Sequence, residues 1–264
     1  MPDNANLKIS VITICYNEPK ENIDLTFKSI SNQTYKNIQW IVVDGGSKPE
    51  TISAIKEYES YIDTFISEPD NGVYDAMNKG VSYANGEFVV FMNTGDCFYN
   101  EYTLNDIVDN INKYPNFDCY YGDPIVVDDN KKIWAGPQER KINRFILHNT
   151  TICHQATITK TELYKKIGGF DISYKIIADK EWILRSVDAG ARWRYIDLIV
   201  CRYDKTGLSS DITQRKNENI KLVSNYYNVV ERVVYYLTKK IRGIWRRLQR
   251  LWFKTYKGYP IKYT

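Results

Sequence analysis

Three near-continuous apolar runs, each followed at once by polar residues, constrain the fold of this chain more than any other feature. The runs are Ile9–Cys15, Gln39–Val43 and Phe88–Met92, and segments with helical periodicity separate them. Strands that are apolar throughout, rather than at alternate positions, are buried on both faces, which is typical of parallel sheets covered by helices. We therefore predict an α/β protein whose first hundred residues form a doubly wound, mostly parallel, Rossmann-like sheet.

The remaining periodicity divides the chain into a large N-terminal domain, residues 1–210, and a C-terminal helical extension, residues 211–264. No internal repeat or linker is visible within the first domain. One long helix is expected from Asp211 to Leu237, and a hairpin between Val126 and Trp134. The other predicted helices are 21–31, 49–60, 73–84, 103–113, 161–167 and 179–189, and the other predicted strands are 64–66 and 193–203.

Cysteine usage and hydropathy indicate the compartment. The five cysteines are scattered, odd in number and without a Cys-x-x-Cys pair, so neither a disulfide framework nor a zinc site is indicated. The first residues are polar, and no stretch reaches the roughly 18 apolar residues that a membrane span requires. We expect a cytoplasmic protein with reduced thiols that does not cross the bilayer.

The positive charge is concentrated at the C-terminus. Residues 232–264 contain ten Lys and Arg and no Asp or Glu, which leaves 26 basic and 32 acidic residues before them. Within residues 239–264, apolar side chains recur at helical spacing beside several arginines, as in a helix that lies on a membrane surface. A helix packed on the domain or on a partner is the alternative, and no nucleic acid is expected. The protein is thus predicted to be peripheral on the inner face of the plasma membrane.

Polar clusters follow the three apolar strands: Tyr16-Asn17-Glu18, Asp44-Gly45-Gly46-Ser47 and Asn93-Thr94-Gly95-Asp96. Ligands of open parallel sheets bind outside the carboxyl ends of the strands, so these clusters are candidate site residues. A carboxylate such as Asp44 can accept hydrogen bonds from a base or ribose, and the two glycines let the backbone turn close to a ligand. The alternative is a plain strand-to-helix turn in which Ser47 caps the next helix.

Two further groups of polar residues complete the candidates. Asp96 follows the most apolar strand, where a carboxylate is costly unless a cation or hydrogen bonds compensate it, so either a metal site or turn chemistry fits. Asp75, Asn78 and Lys79 have i, i+3, i+4 spacing and share one helix face, for which a solvated surface is the alternative.

Five motifs in order resemble the inverting glycosyltransferases of family 2, which have the GT-A fold, and especially the colanic-acid-type subgroup that builds bacterial exopolysaccharide and O-antigen repeat units. The resemblance spans residues 9 to about 205. Its motifs are Ser10-Val-Ile-Thr-Ile-Cys-Tyr-Asn17, Trp40-Ile-Val-Val-Asp-Gly-Gly-Ser47, Gly72-Val-Tyr-Asp-Ala-Met-Asn-Lys-Gly80, Phe91-Met-Asn-Thr-Gly-Asp96 and Ala178-Asp-Lys-Glu-Trp182.

The resemblance implies a donor site. It divides the domain into a nucleotide-sugar-binding half, residues 1–98, and an acceptor half, residues 99–210. The family's Asp-x-Asp motif falls on residues 94–96, so only Asp96 remains to hold Mn²⁺ or Mg²⁺, and Asp44 would contact uracil. The residues implied to bind the nucleotide sugar are Cys15, Tyr16, Asn17, Asp44, Gly45, Asp75, Lys79, Thr94 and Gly95.

The resemblance also implies an acceptor site. Inversion requires a base that takes the proton of the acceptor hydroxyl, and Asp179 matches the position of that base, with Glu181 as its rival. His154 and Gln155 precede a short β-like segment and match an acceptor-side loop. Read without the resemblance, Asp179 is a helix cap or dipole partner and His154 a structural histidine.

The predicted function is transfer of a sugar from a nucleotide sugar, UDP-linked by expectation, to a glycan or lipid-linked acceptor in cell-surface polysaccharide biosynthesis. A sugar-nucleotide nucleotidyltransferase would need a Gly-rich, basic loop after the first strand, where this chain has Tyr16–Pro19. A dehydrogenase would need Gly-x-Gly-x-x-Gly at the same place. A non-catalytic, membrane-associated nucleotide-binding protein would not need both Asp96 and Asp179.

Overall fold

The computed structural model describes residues 7–127, 133–135, 138–147, 150–204 and 211–238. Its strands are β1 (Ile9–Cys15), β2 (Ile38–Asp44), β3 (Thr64–Ser67), β4 (Phe88–Phe91), β5 (Cys97–Phe98), β6 (Cys119–Val127), β7 (Ile133–Ala135), β8 (Thr157–Lys160) and β9 (Trp193–Asp204). Its α-helices include α1 (Lys20–Ser31), α2 (Pro49–Lys56), α3 (Val73–Tyr83), α4 (Thr103–Lys113), α5 (Arg144–Leu147), α6 (Thr161–Ile167), α7 (Ala178–Asp188) and α8 (Ile212–Tyr226).

The strands form one mixed sheet in the order β3-β2-β1-β4-β8-β6-β9-β5, with β7 paired to β6. The strands β3, β2, β1 and β4 are all parallel, which confirms the predicted N-terminal half. β6 and β9 are also parallel, whereas β8 runs antiparallel to both β4 and β6. Because β2 and β4 lie on opposite sides of β1, the strand order reverses there, and sheets of this kind bind ligands beyond the carboxyl ends of the strands at such a point.

Both faces of the sheet are covered, as the continuous apolar strands predicted. Ile9, Val11 and Val42 pack on one face with α1 and α4, and Ile12, Ile41 and Val43 pack on the other with α3 and α7. On the second face Trp182 stacks on Tyr164 with ring centroids 4.3 Å apart. Its indole nitrogen donates to the Gly168 carbonyl at 2.9 Å, which ties α7 to the turn after α6.

The long helix predicted from Asp211 to Leu237 is wrong in one respect, because it is broken after Tyr226. Tyr227 is extended (φ −112°, ψ 134°), and a second helical segment covers residues 229–238. Asn228 starts that segment with a reciprocal cap: its side-chain oxygen accepts from Glu231 N at 3.0 Å, and its own N–H donates to the Glu231 carboxylate at 2.9 Å. This capping box satisfies the terminal N–H groups that a continuous helix would not expose.

One predicted helix is shorter than expected. The helix predicted over residues 49–60 ends at Lys56 and is followed by a 3-10 turn at Glu59–Tyr61.

Within the described residues, no helix combines the length and the apolar character needed to span a bilayer. The basic tail, residues 239–264, lies outside the described residues, and with it the predicted membrane-surface helix.

Candidate functional site

The loops after β1 and β2 are tied into one unit at the carboxyl ends of the strands. Asn17, which has a left-handed backbone (φ 51°), donates its N–H to Ser47 Oγ at 2.7 Å. Its side-chain oxygen accepts from Lys48 N at 3.0 Å, and Gly45 N donates to the Cys15 carbonyl at 2.9 Å. Ser47 therefore bridges the two loops, and the alternative in which it caps α2 is wrong, since α2 has no side-chain cap.

Asp44 is fully buried at the end of β2 and has two different oxygens. Oδ2 accepts from Gly46 N, Ser47 N and Ser67 Oγ at 3.1, 3.0 and 2.8 Å, so it shapes the turn. Oδ1 has no hydrogen-bond partner among the described residues. Because a buried acceptor without a donor is costly, Oδ1 is suited to a donor that a ligand supplies.

The backbone at Gly45 lies close to two side chains. A Cβ at this position would lie 2.5 Å from Asp70 Oδ2 and 3.2 Å from Tyr16 Cδ2, so a larger residue would force the Asp70 side chain to move. Tyr16 is exposed, as suits a ring that covers a ligand, whereas Cys15 is buried. Burial raises the pKa of Cys15 to about 12, so its thiol stays neutral and serves packing. Sequence reasoning did not single out Asp70, although its Asp-Asn-Gly context marked a turn after β3.

Asp75 and Lys79 act on the segment that carries Asp70. Asp75 Oδ2 accepts from the backbone N and side-chain Nδ2 of Asn71 at 2.9 and 3.1 Å. Lys79 donates to the Pro69 carbonyl at 3.0 Å and pairs with Glu68 at 2.9 Å. The structure thus places these two predicted donor-pocket residues as supports of residues 68–71, and the alternative of a purely solvated helix face does not describe them.

The third predicted member of that helix face serves a different loop. Asn78 donates to the Phe170 carbonyl at 2.9 Å and accepts from Phe170 N at 2.7 Å. A Cβ on Gly169 would lie 2.2 Å from Asn78 Oδ1, so glycine is required for this approach. The Gly168–Asp171 turn is therefore fixed to α3 ahead of the segment that leads to Asp179.

Asp96 is buried behind β4 and is held by two hydrogen bonds. Oδ2 accepts from Gln155 Nε2 at 2.7 Å, and Oδ1 accepts from Asp204 N at 3.2 Å. Burial raises the pKa of Asp96 to about 6 despite these bonds. The raised pKa shows that the protein alone compensates the negative charge only in part, which is the situation a cation would correct.

Thr94 and Gly95 shape the loop in front of Asp96. Thr94 Oγ1 donates to the Ile14 carbonyl at 2.9 Å, which fastens the loop to the end of β1. Gly95 is in the left-handed region (φ 97°), and its N–H donates to Thr26 Oγ1 at 2.9 Å. Both residues support the backbone here, and neither adds a carboxylate to the site.

The donor groups around Asp96 determine what kind of metal site is possible there. Among the described residues there is no group of three or more His, Cys, Asp or Glu placed to hold a metal ion. Asp96 contributes one carboxylate at the strand end. Magnesium-type sites use one or two carboxylates together with substrate phosphates and water, so Asp96 fits a cation that arrives with a diphosphate rather than a preformed cage.

Asp179, at the start of α7, lies next to His154. His154 Nδ1 is 3.6 Å from Asp179 Oδ2, and the other ring nitrogen is 3.1 Å from Asn93 Nδ2. Burial acts to lower the pKa of His154, but the Asp179 carboxylate prevails and the net pKa is raised. Tyr74 OH is 3.2 Å from Asp179 Oδ1 and 2.9 Å from the Ile176 carbonyl. Asp179 is thus a largely buried carboxylate oriented by a histidine and a tyrosine.

The two acceptor-side candidates connect the two carboxylates. Gln155 bonds to Asp96, and its neighbour His154 faces Asp179. The structure therefore brings Asp96, His154, Gln155 and Asp179 into one continuous cluster. Tyr74 and Asn93 belong to it as well; both stand in the quoted motifs, but nothing in the sequence marked them as partners of residues so far along the chain.

Glu181 is not part of that cluster. It is fully buried and pairs with Arg185, whose Nε and Nη2 lie 2.6 and 3.0 Å from its two oxygens, and it also accepts from Tyr226 OH. Arg185 in turn donates to the carbonyls of Ile167 and Gly169. Glu181 and Arg185 thus hold the glycine turn, Gly168–Asp171, in place.

Comparisons with known proteins identify the family of this chain. Residues 10–168 match the family described as Glycosyl transferase family 2. An uncharacterized glycosyltransferase of Mycobacterium tuberculosis is 32% identical over 206 residues, which cover 76% of this chain and 77% of that protein. A PGL/p-HBAD biosynthesis glycosyltransferase of Mycobacterium bovis is 31% identical over 193 residues, covering 71% of this chain and 74% of that protein.

Solved structures share the fold at low sequence identity. S. aureus TarS in complex with UDP-GlcNAc has a TM-score of 0.66 at 20% identity, and the match covers 84% of this chain and 68% of that one. A mannosyltransferase from Pyrobaculum calidifontis, in complex with GDP-Man and Mn²⁺, has a TM-score of 0.64 at 19% identity, with 85% and 65% covered. The fold and the strand-end site define a GT-A glycosyltransferase. The chain belongs to glycosyl transferase family 2 and is a transferase.

Proposed function

We propose that the protein is an inverting glycosyltransferase that transfers a sugar from a nucleotide sugar, UDP-linked, to a glycan or lipid-linked acceptor in cell-surface polysaccharide biosynthesis. The observation that carries the proposal is the cluster in which Gln155 and His154 join Asp96 to Asp179. One carboxylate follows a strand of the nucleotide-binding half, and the other starts a helix of the acceptor half. Residues 1–98 would bind the donor, and residues 99–210 the acceptor.

The choice of nucleoside follows from the chemistry of Asp44. Its unpartnered Oδ1 is an acceptor, so it favours a base whose ring nitrogen on the pairing edge carries a hydrogen. Uracil and guanine have such a ring N–H, whereas the equivalent ring nitrogens of cytosine and adenine are acceptors, and these bases could donate only from their exocyclic amino groups. The solved relatives that bind UDP-GlcNAc and GDP-Man are consistent with this rule. Tyr16, Asn17 and Gly45 would lie around the same base.

A divalent cation, Mn²⁺ or Mg²⁺, would be held by Asp96 and the donor diphosphate. It would neutralise the negative charge that develops on the leaving nucleotide. Thr94 stands where the family has a second acid, so this chain would bind the cation together with the nucleotide and not before it. The mannosyltransferase that contains Mn²⁺ supports a cation for the fold.

Asp179 would be the general base. The acceptor hydroxyl oxygen attacks the anomeric carbon, the bond from that carbon to the diphosphate oxygen breaks, and the hydroxyl proton passes to Asp179. His154 Nδ1 and Tyr74 OH would hold the carboxylate in place for this step. We assign the role to Asp179 rather than to Glu181, because both oxygens of Glu181 are engaged by Arg185 in the interior.

Donor hydrolysis tests the proposal most simply. The purified protein, incubated with UDP-, GDP-, CDP- and ADP-sugars, is expected to release UDP or GDP in the presence of Mn²⁺ and far less in EDTA. A nucleotidyltransferase would instead form a nucleotide sugar from a sugar phosphate and a nucleoside triphosphate. Release of no nucleoside diphosphate from any donor, with or without an acceptor extract, would reject the proposal.

A further inference from the structure

The middle of α8 carries a buried carboxylate whose partners are all uncharged. Glu218 is 7% exposed, although it lies on a largely polar helix. Its Oε1 accepts from Lys175 N at 2.8 Å and from Gln214 Nε2 at 3.1 Å. Its Oε2 accepts from Ile176 N and Ile177 N at 2.9 and 3.1 Å. Hydrogen bonds to an ionised acceptor are stronger than neutral ones, so three successive backbone N–H groups are firmly held.

Those three residues lead directly into the helix that carries Asp179. Ile177 is the N-cap residue of α7, and Asp179 is in its first turn. In proteins without this contact, the N–H groups ahead of a helix are usually bonded to water or to a local side chain. Here a side chain 41 to 43 residues away in the sequence supplies the acceptor.

Ile176 connects this contact to the Asp179 carboxylate. Its N–H is held by Glu218, and its carbonyl accepts from Tyr74 OH, which also lies 3.2 Å from Asp179 Oδ1. A second link runs from Lys180 Nζ to Asn219 Oδ1 at 2.8 Å. The position of Asp179 is therefore set from α8 as well as from α3.

We infer that Glu218 is a positioning residue for the proposed base Asp179, and that α8 is part of the catalytic unit rather than only a spacer before the basic tail. The inference rests on the proposed function. It reaches beyond the family match, which ends at residue 168. Shifting a reacting group by about 1 Å can reduce turnover about a hundredfold, so loss of this contact affects rate more than donor binding.

Glu218→Gln in the full-length protein tests the inference. The substitution keeps the size but turns an NH₂ group towards a backbone N–H. We expect kcat of sugar transfer to fall by about 10- to 100-fold, while KM for the donor and the Kd of UDP with Mn²⁺ change by less than about twofold. Glu231→Gln is the matched control, because Glu231 pairs with Arg144, away from Asp179. It is expected to reduce thermal stability and leave kcat unchanged.

The outcomes separate the possible explanations. If Glu218→Gln loses only stability, with kcat equal to that of Glu231→Gln, the positioning role is wrong. If Glu218→Gln does not fold, Glu218→Asp decides: its shorter carboxylate keeps the charge but cannot reach all three N–H groups, and an unchanged kcat there would overturn the inference. A wild-type protein that releases no nucleotide would reject the proposed function itself, which is a different result.

Discussion

At the scale of single residues, the proposed metal ligand Asp96 is a buried carboxylate that reduces stability. Its carboxylate is buried, and its pKa of about 6 lies above the value of about 4 expected in the unfolded chain. Protonation of Asp96 is therefore more favourable in the folded state than in the unfolded chain. The protonated group makes its full contribution to the free energy of unfolding below about pH 4, and this contribution is lost as the pH rises through 6.

Asp96→Asn is accordingly expected to stabilise the metal-free protein at pH 8. The amide is neutral, and a turn of the Gln155 amide lets both groups remain bonded. The gain is on the order of 2 kcal/mol at pH 8 and disappears towards pH 4. Chemical denaturation in EDTA at the two pH values measures it. Equal stability of variant and wild type at pH 8 would mean that the buried charge carries no cost.

Asp44→Asn probes the nucleoside. The amide oxygen can keep the turn bonds of Oδ2, and the NH₂ group then replaces the acceptor Oδ1. We expect UDP affinity to fall about 10-fold or more, since two donors would face each other, and CDP affinity to rise. Calorimetric titration with UDP and CDP measures both. Parallel losses for the two nucleotides would indicate general damage to the turn instead of a change in selectivity.

Several candidate site residues stand out in the sequence, whereas their hydrogen-bond partners do not. Asp44, Asp96 and Asp179 stood out because a carboxylate at a strand end or a helix start invites a role. The contacts of Asp96 with Gln155 and Asp204 join residues 59 and 108 positions apart, and Tyr74 lies 105 positions from Asp179. No local pattern encodes such contacts, since they arise from the antiparallel placement of β8 between β4 and β6.

At the scale of elements, periodicity located the buried helices and strands well and failed where a side chain overrode it. The helix over residues 103–113 was predicted at its observed ends, because its apolar stripe is regular. The predicted helix through Tyr227 was broken by the Asn228–Glu231 cap, a signature that was present in the sequence but outweighed by the apolar spacing. β5 has only two residues and gave no periodic signal.

The glycine turn before α7 offers a prediction at this scale. Gly169→Ala would place a Cβ 2.2 Å from Asn78 Oδ1, which two hydrogen bonds to Phe170 hold in place. We expect a destabilisation of about 1–3 kcal/mol, because the asparagine must leave one bond or the turn must shift. Thermal unfolding measures it. A variant with the wild-type melting temperature would show that the turn accommodates the Cβ without loss of stability.

At the scale of the whole molecule, a glycosyltransferase sheet is followed by C-terminal segments for which we propose different roles. α8 contacts the segment ahead of Asp179, while residues 239–264 carry the cationic, tryptophan-containing pattern proposed for a membrane surface. The parallel half of the sheet was predictable from its continuous apolar strands. The order β8-β6-β9-β5 was not, because it depends on long-range pairing.

Removal of residues 239–264 tests the proposed membrane attachment. The truncated protein keeps α8, so donor hydrolysis is expected to persist, while binding to vesicles with anionic lipid should decrease strongly because the basic residues contribute about 1 kcal/mol each. Vesicle sedimentation with and without phosphatidylglycerol measures it, and neutral vesicles serve as the control. Undiminished binding of the truncated protein would place the contact elsewhere.

The central claim is that Asp179 is the base of a sugar transfer whose donor binds at Asp44 and Asp96. The most direct measurement is Asp179→Asn, in which the substitution is nearly isosteric and the general base is lost. With Mn²⁺ present, the Kd for UDP should stay within about twofold of wild type, while single-turnover transfer should fall by about 10²- to 10⁴-fold. Near-normal transfer by this variant would contradict the account and place the base elsewhere.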